Sequence, residues 1–180
     1  MNAATVRAIV TGFHDPSDGA AMKSRELVLI LLECAPDPFS RAHFTPGHIT
    51  GTGFVLGPDG VSLLLVHHRR LGRWLLPGGH VEPDDAEIWD ASRREVIEET
   101  GAVLVADPAP RLAGIDVHGI PAAKGEPYHL HHDLIFAFRA TSAALQVSEE
   151  SHAVAWCAPA EFDRYCVPDN VRRSYTRMVT

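Results

Sequence analysis

The sequence has little cysteine, no long hydrophobic run and no excess of positive charge, and each shortage removes a class of function. Its three cysteines, Cys34, Cys157 and Cys166, lack the spacing of a zinc ligand set, and an odd number cannot complete a disulfide framework. They read as small hydrophobic residues in a reducing, intracellular setting. The most apolar stretch, Leu27 to Leu32, is far too short to cross a membrane. Met1 to Val10 lacks the basic start and long apolar core of a signal peptide, which makes the cytoplasm the expected location. A formal charge of −7 argues against a broad nucleic-acid surface, and no helix-turn-helix or basic arm is visible. There is no internal repeat and no low-complexity block. What remains is a soluble globular composition, 46% hydrophobic and 22% charged over 180 residues, enough for one domain with a sizeable core.

Residues 1–43 differ from the rest and read as an N-terminal helical extension. Ala3 to Phe13 and Met22 to Cys34 have helical character, the latter starting near Asp18-Gly19 or Ser24. Leu27, Ile30 and Leu31 form an apolar stripe. It is expected to pack on the body of the chain or on a partner subunit, so a homodimer stays open. Ala35-Pro36-Asp37-Pro38 stops the helix.

From residue 44 to 180 strands and helices alternate. Ile49 to Leu56 and Val61 to His67 read as a hairpin across Pro58-Asp59-Gly60. Trp74 to Leu76 runs into Pro77-Gly78-Gly79. A helix is expected from Asp85 to Thr100, capped by Asp84 with Glu87 in a capping box and stopped by Gly101. Leu112 to Ile120, His129 to Arg139 and Ala153 to Cys157 read as strands. Pro159 to Tyr165 and Asn170 to Met178 read as closing helices. The total points to an α/β sandwich around a mixed sheet.

Glu95, Glu98 and Glu99 sit at i, i+3 and i+4 and share a helix face. Three like charges repel there unless a hard cation that prefers oxygen ligands, such as Mg²⁺, neutralises them. Trp89 and Val96 lie on a different face and can pack on the sheet. Spacing alone also allows a solvated acidic face beside Arg93 and Arg94.

The flanking residues add context. Gly78 to Ala102 resembles the Nudix box, G-x5-E-x7-R-E-U-x-E-E-x-G-U with U apolar. The second half matches in full from Arg94 to Ala102, and Gly78-Gly79-His80-Val81-Glu82 resembles the usual lead-in. The first half departs from the pattern. Five residues separate Gly79 from Asp85, which stands where the pattern has Glu, and eight residues rather than seven then separate Asp85 from Arg94. One extra residue near the helix start, with Asp85 in place of the Glu, is the simplest account.

The resemblance implies a Nudix α/β/α sandwich around a mixed sheet. It implies Mg²⁺ or Mn²⁺ held by Glu95, Glu98 and Glu99, and hydrolysis of a diphosphate linkage in a nucleoside-diphosphate derivative. A nucleotide sugar and a nucleoside triphosphate both fit. Arg94 is expected to steady the helix through a box acid rather than to bind phosphate. Glu149 and Glu150 lie where some members carry a catalytic base, and Glu150 is the candidate here. Gly78 and Gly79 can bring backbone close to a ligand. The runner-up function is a non-catalytic ligand-binding regulator on the same scaffold, against which the intact Arg-Glu-x-x-Glu-Glu set argues.

Outside the box, His129, His131 and Asp133 alternate along one strand and share a face. Together with His118 and Glu126 they either line a substrate cleft or form an ordinary exposed face. His67, His68, Arg69 and Arg70 form a basic segment that could meet phosphates. Trp74 and Trp156 read as core residues, with stacking on a base as the alternative.

Overall fold

The computed structural model describes residues 1–123 and 125–179. Two helices, α1 (Ala3–Gly12) and α2 (Gly19–Cys34), lead into β1 (Gly47–Leu56), β2 (Leu63–His68), β3 (Arg73–Leu75) and β4 (Gly78–His80). Then come α3 (Ile88–Thr100), β5 (Leu112–Ile120), β6 (His129–Arg139), β7 (Ser151–Cys157) and α4 (Asp169–Val179). The strands form one mixed sheet in the order β3-β2-β1-β6-β5, with β4 paired to β1 and β7 paired to β2. β1 runs parallel to β6 from Gly47↔Leu130 to Leu56↔Arg139. β5 is antiparallel to β6.

Helices cover both faces. On one, Ile49, Val55, Leu134, Phe136 and Phe138 pack with Val28 and Leu31 of α2 and Ile88 and Val96 of α3. On the other, Phe54, Leu63, Leu65 and Ile135 pack with Phe162 and Val167, which precede α4, and with Val171 of α4 itself. This is an α/β/α arrangement around a mixed sheet, as the resemblance implied. α3 lies directly on β1 because β1 offers it glycines. A β-carbon on Gly53 would meet Val96 Cγ2 at 2.1 Å, and one on Gly51 would meet Ser92 Oγ at 2.7 Å and Ser92 N at 2.9 Å.

The N-terminal helices are tied to the sheet by both apolar and polar contacts. Val6, Val10 and Phe13 join the core of α2 and α3. Asp18 caps α2 by accepting from Ala21 N–H at 3.1 Å and pairs with Arg177 of α4 at 2.9 Å. Ser24 Oγ accepts from Val117 N–H at 3.2 Å. The buried face of α2 keeps Leu31 of the expected stripe but not Leu27 or Ile30. Ala21, Ser24, Val28 and Leu31 face inward, while Leu27 and Ile30 are 44% and 57% exposed. The stripe is displaced by one residue, about 100° around the helix.

Other expectations need correction. β1 and β2 meet only at Leu56↔Leu63, because β1 takes β6 and β4 as neighbours and β2 takes β7 and β3. The α3 helix begins at Ile88, not Asp85. Its N-cap is Glu87, and the Asp90 carboxylate accepts from Glu87 N–H at 3.1 Å. Pro159 to Tyr165 is not an α-helix but a single 3₁₀ turn, Pro159–Glu161, followed by turns. No helix among the described residues is long and apolar enough to cross a membrane.

Candidate active site

Gly78 and Gly79, which the sequence presents as a loop, form part of β4 opposite Thr52 and Gly51 of β1. This places their backbone against α3. Gly78 N–H donates to Glu99 Oε2 at 3.0 Å. Gly79 carries no side chain because Glu95 occupies the space: a β-carbon there would lie 2.5 Å from Glu95 Oε1. Two carboxylates of α3 are therefore pressed onto two consecutive glycines.

Arg94 locks this arrangement. Nε and Nη2 donate to the Asp85 carboxylate at 3.2 and 3.0 Å, and Nη2 also donates to the His80 carbonyl at 2.8 Å. Nη1 reaches Glu95 at 2.9 Å and Glu98 at 3.2 Å. The two-pronged pairing with Asp85 raises the guanidinium's affinity for its proton, so it stays charged. Asp85 therefore pairs with the helix arginine despite the extra residue between them. It is 6% exposed and also accepts from Glu82 N–H at 2.8 Å.

The three glutamates differ in setting. Glu98 is solvent-facing, with 59% of its side chain exposed, whereas Glu95 retains 18%. Burial pushes the Glu95 carboxyl above its ordinary value, and Arg94 partly opposes it. Burial raises Glu99 further, to about 7, opposed by the Gly78 N–H and reinforced by the charges of Glu95 and Glu150. Glu150 precedes β7, and its carbonyl accepts from Arg69 N–H at 3.0 Å.

Glu99 makes stability depend on pH. Below the ordinary value of 4.5 both folded and unfolded chains hold the proton; between 4.5 and about 7 only the unfolded chain releases it, and stability falls as pH rises. Above that window the folded chain carries the whole cost, roughly 3 kcal/mol. In excess chelator, Glu99→Gln is therefore expected to melt higher than wild type at pH 8 and about equally at pH 4.5. Equal melting temperatures at both pH values would show that Glu99 ionises without penalty.

The sequence profile of the NUDIX domain matches residues 48–178, which contain this strand, helix and arginine lock. The chain belongs to the Nudix family. It is accordingly a Nudix hydrolase, a pyrophosphohydrolase acting on phosphoric anhydrides. It is 29% identical over 112 residues to a Bacillus subtilis (strain 168) protein provisionally named 8-oxo-dGTP diphosphatase, covering 62% of this chain and 68% of that one. It is 31% identical over 113 residues to a MutT-like protein of Streptomyces ambofaciens, covering 63% of this chain and 65% of that one. The chain thus spans about two thirds of these relatives. A C. elegans Ap4A hydrolase structure shares the fold at a TM-score of 0.54 and 17% identity, covering 72% of this chain and 93% of that one.

The sheet face opposite the Nudix helix carries a second polar region. His48 of β1, His80 of β4 and His131 of β6 converge there, with ring centroids 4.9–5.2 Å apart. Burial lowers all three, His80 to about 4 and His131 to about 2, and the neighbouring rings add to the effect. His129 stacks against His48 at 5.1 Å, is 2% exposed and has Nδ1 2.8 Å from the Pro127 carbonyl. It lies within the wall rather than on its surface. Asp116, His118 and Asp133 lie beside the trio, with His118 3.1 Å from Asp116 and 3.7 Å from Asp133. The Asp116 contact raises His118, and burial raises Asp133. The sequence named His118, His129, His131 and Asp133 but missed His48 and His80, which reach the face from other strands.

Trp74 packs edge-on against Tyr165 at 4.8 Å. Trp156 donates to the Ala143 carbonyl at 3.0 Å. Both are partly buried in the apolar clusters. His67 and His68 end β2, and Arg69 and Arg70 begin the turn that follows.

Proposed function

We propose that this Nudix hydrolase cleaves a diphosphate linkage in a nucleoside-diphosphate derivative, with Mg²⁺ or Mn²⁺ held by Glu95, Glu98 and Glu99. The observation that carries the reading is the packing of the Glu95 and Glu99 carboxylates against the backbone of Gly79 and Gly78. Two acids so desolvated, with Glu150 adding repulsion, fit a hard divalent cation better than water. Glu95 Oε2, Glu98 Oε1 and Glu99 Oε1 are left outside the hydrogen bonds to Arg94 and Gly78 and would supply the oxygen ligands after side-chain rotation. These three acids are not among the described residues whose ligand atoms already lie, as a group, within 4.8 Å of one another. When bound, such ions neutralise phosphate oxygens and lower the pKa of an attacking water.

The chain's own residues do the rest. Arg94 and Asp85 fix α3 against β4, which sets where the carboxylates point. Gly78 and Gly79, having no side chains, let the phosphates approach the strand. Glu150 is assigned the role of proton acceptor, supported by the reach of its charge to both Glu95 and Glu99. His129 and His131, candidates for substrate contact in the sequence, stand on the sheet face away from α3 and are given no part in the reaction. Between the two substrate types, the name of the Bacillus subtilis relative favours a nucleoside triphosphate over a nucleotide sugar.

The test is turnover across nucleoside triphosphates, oxidised purine nucleotides and nucleotide sugars with Mg²⁺, followed by release of phosphate or pyrophosphate. At least one compound should be hydrolysed, with loss of rate in excess chelator and recovery on adding Mg²⁺ or Mn²⁺. Unchanged turnover in metal-free buffer would overturn the metal assignment. Tight binding without turnover would instead establish the regulator reading.

A further inference from the structure

We infer that His48, His80 and His131 form a separate binding site for a borderline transition-metal ion, Zn²⁺ or a close substitute such as Co²⁺, on the sheet face away from the carboxylates. The inference does not depend on the hydrolytic reading.

Geometry supplies the first argument. The three candidate ligand nitrogens all lie within 4.8 Å of one another. Tetrahedral zinc spaces its imidazole nitrogens by ~3.3 Å, which modest side-chain rotations would reach. The histidines come from three strands with fixed registers: Thr50 pairs with His80, and His48 pairs with His131. The sheet itself therefore brings the rings together.

The second argument is His48 itself. The residue is fully buried. Its Nδ1 lies 3.2 Å from the His43 carbonyl, an arrangement that places the proton on Nδ1 and leaves a bare lone pair on Nε2. That Nε2 is buried and has no hydrogen-bond partner among the described residues. A buried acceptor without a partner is costly. A ring held by a backbone carbonyl through one nitrogen, with the other directed at its neighbours, is how metal-binding histidines are oriented.

Ligand chemistry then selects the ion. Three imidazoles and no carboxylate suit Zn²⁺, Co²⁺, Ni²⁺ or Cu²⁺ and are poor ligands for Mg²⁺. The adjacent Asp116, His118 and Asp133 also bring three ligand atoms within 4.8 Å of one another, but their carboxylates make them a harder set and their polar atoms already have partners. They are closed on one another, and the Thr50 hydroxyl donates to Asp133. Three protein ligands leave a fourth position open to water or an anionic ligand. Because His80 follows Gly79 and its carbonyl accepts from Arg94, an ion here would also hold the strand that backs the carboxylates.

The experiment uses untagged, chelator-stripped protein titrated with Co²⁺ in millimolar Mg²⁺, read by visible absorption, with Zn²⁺ as competitor. One equivalent should bind with a low-coordinate Co²⁺ spectrum, and Zn²⁺ should displace it. His80→Ala and His131→Ala should weaken binding at least ~100-fold, whereas Glu98→Gln should leave it unchanged. X-ray absorption of the wild-type Zn²⁺ form should show imidazole nitrogens, which settles the ligands even if a histidine variant fails to fold. Overturning results are the absence of Mg²⁺-resistant binding, binding that survives in folded His80→Ala and His131→Ala, or a zinc shell made of oxygen. Loss of hydrolysis in Glu98→Gln with Co²⁺ binding intact would separate the two sites.

Discussion

Glu98→Gln and Glu99→Gln are expected to fold and yet lose roughly 10²-fold or more in turnover. Each change keeps the size of the side chain and removes one negative charge from the carboxylate set assigned to the divalent ion. The transition state of diphosphate cleavage is rich in negative charge, so losing an oxygen ligand is felt there most. Folding should survive for different reasons at the two positions. Glu98 is largely in solvent, where the change costs little. Glu99 is buried beside Gly78, where removing a reluctant charge relieves strain and a glutamine oxygen can still accept the N–H. Glu87→Gln is the control, at the N-cap of the same helix, and should turn over substrate at a near-normal rate. The measurement is kcat and KM at saturating Mg²⁺ beside a thermal melt. Near-normal kcat in both folded box variants would remove these residues from the site.

Asp85→Ala is expected to be the most damaging single change to stability among the box residues. The aspartate is almost wholly buried and meets Arg94 through two hydrogen bonds at 3.2 and 3.0 Å. Removing it leaves a guanidinium at 20% exposure without its principal partner. Unpairing a buried ion costs about 3–5 kcal/mol. Arg94 keeps Glu95, Glu98 and the His80 carbonyl, so about 2–4 kcal/mol is the better expectation here. For a chain of this length that lowers the melting temperature by roughly 5–15 °C. Activity should fall as well, because Arg94 also orients Glu95. A melting temperature unchanged from wild type would mean that the remaining partners hold Arg94 unaided.

The sequence was legible where chemistry is local and opaque where it depends on strand order. Arg94 to Ala102 could be read because helix periodicity puts Glu95, Glu98 and Glu99 on one face and because the whole stretch resembles the Nudix box. Asp85 could be located but not given a role, since an inserted residue shifts the helix phase. The structure absorbs that shift by starting the helix at Ile88 and leaving Asp85 in the preceding loop. β4 was missed because Gly-Gly signals a turn, and only pairing with β1 makes it a strand. Gly51 and Gly53 carried no visible message for the same reason: their use is a helix supplied by residues some forty positions later. His131 was noticed through alternation within its own strand. His48 and His80 were not, because joining them to it requires the parallel β1–β6 pairing and the β1–β4 register, and neither is a property of any one segment.

The glycine floor beneath α3 has a mechanical consequence. With no side-chain layer between Gly51 or Gly53 and the helix, there is no compressible cushion through which α3 could tilt or slide. The helix that carries Glu95 and Glu99 is thus seated directly on the central strand, which is itself paired along its full length with β6. Such a mount favours one fixed spacing of acids over many.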